Sequence, residues 1–89
     1  MHAEEVSILD QLKSGDIVLF RGFCEGCDQG YRHRLLSMGL VPGVTIQFLR
    51  KAPLGDPFLF MVNGSRVGLR SKEIRCLDLY IMGRGDVVK

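Results

Sequence analysis

From Leu35 to Pro57 the chain reads L-L-S-M-G-L-V-P-G-V-T-I-Q-F-L-R-K-A-P-L-G-D-P, a stretch that leaves its backbone few options. Gly39 suits the left-handed position that ends a helix, and Leu40 after it can fold back onto Leu35 in a Schellman-type contact. Pro42 and Gly43 then turn the chain and forbid further helix. Residues 44–51 alternate, with Val44, Ile46 and Phe48 on one face and Thr45, Gln47, Leu49 and Lys51 on the other, as a strand requires. A loop bracketed by Pro53 and Pro57 follows. Helix end, turn, strand and stiff loop in so short a span specify a small β module that works by contact.

The rest of the chain fits that module. Residues 6–13 place Ile8, Leu9 and Leu12 at near-helical spacing, which predicts one helical turn, broken by Ser14-Gly15-Asp16. Residues 17–20 are β-rich and predict a first strand reaching toward Phe23. Residues 31–38 predict a helix with Tyr31, Leu35 and Met38 on one face and Arg32, His33 and Arg34 over the rest. Residues 58–62 are continuously apolar, so that strand is either covered on both faces or exposes an apolar one. Asn63-Gly64 is a strong hairpin signal. Residues 65–70 alternate, with Val67 and Leu69 inward. Ser71-Lys72-Glu73 makes a helical corner. Residues 75–82 then set Leu77, Leu79 and Ile81 against Cys76, Asp78, Tyr80 and Met82.

About five short strands, with one short helix after the first, predict a mainly-β fold closed as a small barrel. The expected division is a lead-in over residues 1–15, the barrel over 16–82 and a flexible tail over 83–89.

Composition narrows the function classes. The chain has 89 residues, one domain's worth, and 46% hydrophobic content argues against disorder. A net charge of +2 is too slight for a nucleic-acid footprint. The start Met1-His2-Ala3-Glu4-Glu5-Val6 has acidic residues where a signal peptide has basic ones. No apolar run approaches the ~20 residues of a spanning helix, so no direct membrane insertion is expected. Three cysteines cannot all pair within one chain, and without a secretion signal a reducing cytoplasm is the expected setting. There is no G-x-G-x-x-G, Walker loop or G-x-S-x-G, so catalysis has no motif to rest on.

Three motifs carry a family likeness: L-x-x-M-G-L-x-P-G (Leu35, Met38, Gly39, Leu40, Pro42, Gly43), L-R-x-A-P-L-G-D-P (Leu49, Arg50, Ala52 to Pro57) and V-x-L-R-x-x-E (Val67, Leu69, Arg70, Glu73). In combination they resemble the FeoA family of small cytoplasmic proteins of bacterial ferrous-iron uptake. The resemblance covers roughly residues 17–80. It implies an SH3-like β-barrel, no enzymatic activity, no cofactor, and a role beside FeoB, the membrane ferrous-iron transporter with a cytosolic GTP-binding domain. The same fold recurs in iron-dependent repressors, but with no helix-turn-helix pattern in these residues a repressor role is not expected. The C-E-G-C run of Cys24 to Cys27 and the tail past Tyr80 fall outside the family pattern.

The candidate contact residues follow. Leu54, apolar and held between two prolines, is placed to dock on a partner, as loops on rigid scaffolds often do. The same loop also serves as a rigid hairpin connection. Leu36 and Leu40 extend the apolar surface, and Arg32 and Arg34 on the helix's polar face can orient an acidic partner; the bland alternative is a solvated helix face. The rival is a metal-binding or redox-sensing module on Cys24 and Cys27, two thiols that are expected to lie exposed and oxidise readily. A structural zinc site needs four ligands, and Cys76, His33 or His2 could complete it only if the fold brings them together. The scattered carboxylates show no paired spacing for iron. The apolar run of residues 58–62 suggests an exposed patch, hence possible self-association.

Overall fold

The computed structural model describes residues 8–84. The acidic start at residues 1–6 and the tail past residue 84 lie outside the described residues. In chain order the elements are α1 (Ile8–Gln11), β1 (Asp16–Phe23), α2 (Gln29–Ser37), β2 (Thr45–Lys51), β3 (Phe58–Val62), β4 (Ser65–Leu69), α3 (Ser71–Ile74) and β5 (Leu77–Arg84). The strands form one five-stranded sheet in the order β4-β3-β2-β1-β5, every neighbouring pair antiparallel. The expected mainly-β fold, with a helix after the first strand, is therefore present. The end strands β4 and β5 do not pair, so the sheet curls without closing.

Alternation builds the core. Val18 and Phe20 of β1, Ile46 and Phe48 of β2, Phe58, Phe60 and Val62 of β3, Leu69 of β4, and Leu77 and Leu79 of β5 pack into a single cluster. The Phe48 ring meets those of Phe58 and Phe60 at centroid distances of 5.8 and 5.4 Å. Leu59 and Met61, on the other face of β3, are half-buried. The continuous apolar run thus makes no exposed patch, since none of its residues is exposed. The exposed large apolar residues are Leu36, Val41, Leu54, Tyr80 and Met82. Leu49 falls where the β2–β3 register slips, between Phe48↔Phe60 and Arg50↔Leu59, as at a β-bulge.

The helix termini use the backbone chemistry that the sequence implies. Asp28 caps α2, its carboxylate accepting from the Tyr31 N–H at 2.9 Å. At the other end Gly39 takes a φ of +96°. The Gly39 N–H donates to the Leu36 carbonyl and the Leu40 N–H to the Leu35 carbonyl, both at 3.0 Å, which is the paired bonding of a Schellman motif. The hairpin between β3 and β4 turns on Asn63 and Gly64, both at positive φ (55° and 83°), with Val62 opposite Ser65.

Candidate functional site

The proline-bracketed loop joins β2 to β3 and is tied down at both ends. The Ala52 N–H donates to the Pro57 carbonyl at 2.9 Å and the Gly55 N–H to the Ala52 carbonyl at 2.8 Å, closing the turn. The Asp56–Pro57 peptide is cis. Asp56 reaches across to α3, its carboxylate accepting from the Ser71 N–H at 2.9 Å. With its neighbours so fixed, Leu54 stands out at the tip, 97% exposed.

Beside this loop lies a cleft of about 270 Å³ lined by Arg34, Asp56, Pro57, Gly68, Arg70 and Glu73. Glu73 organises it. Its carboxylate accepts from the Arg70 N–H at 2.9 Å, as the third residue of α3 does in a capping box, and from the Arg34 guanidinium at 3.5 Å. Arg34 also lies over the Tyr31 ring, 5.4 Å from its centroid. The loop bearing Leu54 and the arginine of α2 therefore meet at one cleft, although they lie far apart in sequence.

Arg32 is held differently, over the Phe23 ring at 5.2 Å. With Gln29, His33 and Leu36 it lines a shallow groove of about 340 Å³ on α2. Leu36 is 40% exposed there. Leu40 does not belong to any such surface. It is 1% exposed and sits in the core, because the Schellman motif turns it back onto Leu35. The contact that explains Gly39 in the sequence is the contact that removes Leu40 from the outside.

Tyr31 packs its ring against the core from α2, and its hydroxyl is buried without a hydrogen-bond partner among the described residues. Burial, and then the nearby Glu73 carboxylate, push its hydroxyl well above the usual tyrosine range. The folded chain keeps this proton at pH values where the unfolded chain releases it. The stabilisation is therefore intact below the unfolded tyrosine pKa of about 10 and declines as pH rises above it. Replacing Tyr31 with Phe removes the orphaned hydroxyl and keeps the ring. We expect the variant to be neutral or up to about 1–3 kcal/mol more stable, with a shallower loss above pH ~10, as read by urea unfolding across pH.

The C-E-G-C thiols do not share an environment. Cys24 is exposed, whereas Cys27 is buried against the fold. The expectation of two exposed loop thiols is thus corrected for Cys27. Alternation alone puts Cys76 on the outer face of the last strand, but it precedes β5 and is half-buried. Among the described residues no three His, Cys, Asp or Glu side chains converge to hold a metal ion. Asp56 and Glu73 belong to the family motifs in the sequence but are absent from the candidate contact residues; the structure makes them the organisers of the cleft. The spacing of Arg70 and Glu73 in R-S-K-E carries the capping signal for the second; the Asp56–Ser71 bridge has no local signal.

Comparison with known proteins places this geometry. The FeoA domain matches residues 8–78. The solution structure of FeoA from Chlorobium tepidum superimposes with a TM-score of 0.73 at 33% identity, over 84% of this chain and 70% of that one. A crystal structure of an iron uptake regulatory protein, also FeoA, gives 0.64 at 28% identity, over 81% and 90%. Zinc-complexed FeoA from Stenotrophomonas maltophilia, described as a prokaryotic SH3-domain protein, shares the fold at 22% identity, over 78% and 84%, with a TM-score of 0.64. The open five-stranded sheet is thus SH3-like, and with four-fifths of its length matched by the FeoA domain this chain belongs to the FeoA family.

Proposed function

We propose that this chain is a non-enzymatic accessory protein of bacterial ferrous-iron transport that modulates a FeoB-type transporter by contact with its cytosolic domain. The working module begins at residue 16 and, because β5 pairs with β1 as far as Arg84, ends two residues inside the expected tail, in a cytoplasmic setting. Family membership supports the transport link, as does the iron-uptake role named for a relative. The observation that carries the contact mechanism is Leu54: an apolar side chain 97% exposed on a loop whose backbone is already fixed. Such a side chain gains apolar burial on docking and loses little conformational freedom, the combination that makes an anchor residue.

Arg34, at the cleft beside the loop, and Arg32 with Leu36, on the outer side of α2, complete the proposed contact set. Both arginines are already oriented by Glu73, Tyr31 and Phe23, so their ordering cost on binding is low. No described helix is long and apolar enough to cross a membrane. The test is binding of the isolated cytosolic domain of the transporter, measured by calorimetry with wild type and Leu54→Asp. Circular dichroism checks that the variant folds, as an exposed loop residue should allow. We expect affinity to fall about tenfold or more. Unchanged affinity in a folded Leu54→Asp variant removes the loop from the interface.

A further inference from the structure

The C-E-G-C run is not used by the contact mechanism, and its inner thiol has a different neighbour from the one its spacing suggests. Cys27 is 8% exposed, turned in beneath the loop. There it lies beside Cys76, whose carbonyl accepts from the backbone of the Cys27 loop. Backbone bonds hold the two segments in register. The Cys24 N–H donates to the Cys76 carbonyl at 2.8 Å, the Cys27 N–H to the Cys24 carbonyl at 3.3 Å, and the Cys76 N–H to the Glu73 carbonyl at 3.0 Å. Cys24, by contrast, faces solvent.

Cys76 also borders open space. A surface cleft of about 260 Å³ is lined by Asp28, Tyr31, Lys72, Glu73 and Cys76, so a small molecule can enter beside this half-buried cysteine. Thus one thiol of the pair is reachable and the other is sheltered behind it.

We propose that Cys27 and Cys76 form a dithiol oxidation site that a peroxide converts to an intramolecular disulfide, with Cys76 attacked first and Cys27 resolving. The Cys76 thiolate attacks one peroxide oxygen. The O–O bond breaks, a sulfenic acid forms on Cys76, and the leaving hydroxide takes up a proton as water. The Cys27 sulfur then attacks the Cys76 sulfur. The S–O bond breaks, and the departing hydroxide leaves as water with the Cys27 proton. In sum, two thiols and one peroxide give one disulfide and two waters; the sulfurs lose the two electrons that the peroxide gains. Burial, reinforced by Cys76, holds the Cys27 thiol above its ordinary value, which suits it to the second role rather than the first. The closed form ties the loop that caps α2 to the corner between α3 and β5. In a reducing cytoplasm such a bond is transient, as redox-sensing disulfides are.

The experiment reads the bond itself and so stands apart from any transporter partnership. Full-length protein carrying Cys24→Ser, which removes the exposed thiol, is reduced and then treated with hydrogen peroxide. Intact mass is expected to fall by two hydrogens, and proteolytic mapping to recover a peptide pair joined through Cys27 and Cys76. In Cys24→Ser with Cys27→Ser the crosslink disappears and a dimedone adduct of sulfenic acid forms on Cys76. Should Cys27→Ser fail to fold, Cys24→Ser with Cys76→Ser takes its place, and its mass then shows no loss of two hydrogens. A Cys24→Ser protein that stays reduced, or that reaches sulfinic acid without a crosslink, overturns the proposal.

Discussion

Phe60→Ala is expected to destabilise the fold by about 3–5 kcal/mol, the range for truncating a buried phenylalanine. Phe60 is the fully buried centre of β3, 0% exposed. It faces Phe48 on β2 and Val67 on β4, so it is the side chain through which the central strands share one core. Its ring lies 5.4 Å from that of Phe48, so truncation also removes an aromatic pair in addition to the buried area. Small domains bury a modest share of their surface and sit at the low end of the ~5–15 kcal/mol range of native stability. Most of the folding free energy is therefore at stake. In urea the midpoint should fall sharply with the slope unchanged; a drop of less than about 1 kcal/mol would show that Phe60 is not central to the core.

The second large effect comes from a glycine. Gly39→Ala must hold alanine at a φ of +96°. An L-residue in the left-handed region costs roughly 1–2 kcal/mol. The new Cβ would also stand 2.9 Å from Nδ2 of Asn63, on the β3–β4 hairpin, closer than real Cβ atoms approach. We expect a total of about 2 kcal/mol or more, from backbone strain plus displacement of the Asn63 side chain. The two parts separate in a double-mutant cycle. Asn63→Gly keeps the positive φ of the turn and removes the obstructing amide, so Gly39→Ala should cost less in that background, leaving the backbone share. Strict additivity in urea unfolding would show that helix end and hairpin do not touch energetically.

The fold was legible because its signals are local. Alternation in β2 and β5, the Asn63-Gly64 turn and the Gly39 helix stop each act within a few residues, and each appears where the spacing predicts. Leu54 was legible for the same reason, since two prolines and a turn leave an intervening side chain outside. Leu40 was misplaced although its signal was present: the fold-back onto Leu35 that ends the helix also buries it. The cleft was illegible because its parts, Arg34, Asp56 and Glu73, come from three separate segments joined by bonds without a local pattern. The cysteines show the same limit. Spacing pairs Cys24 with Cys27, but the loop leaves one exposed and buries the other beside a residue just before the last strand.

The unpaired edges of the sheet divide the molecule mechanically. Strands β1, β2 and β3 are held on both sides by ladder hydrogen bonds, whereas β4 and β5 are held on one. Between those two strands the chain supplies α3, whose Ile74 packs in the same core cluster as Leu35 and Leu40, and no backbone ladder joins β4 to β5. A joint closed by apolar packing yields at lower free energy than a hydrogen-bonded ladder, since opening it breaks no cooperative row. The open sheet therefore has a compliant seam. Glu73, Cys76 and the cleft under the proline loop all lie along it, so the docking of a partner or a covalent change at that line acts on the part of the fold that deforms most easily.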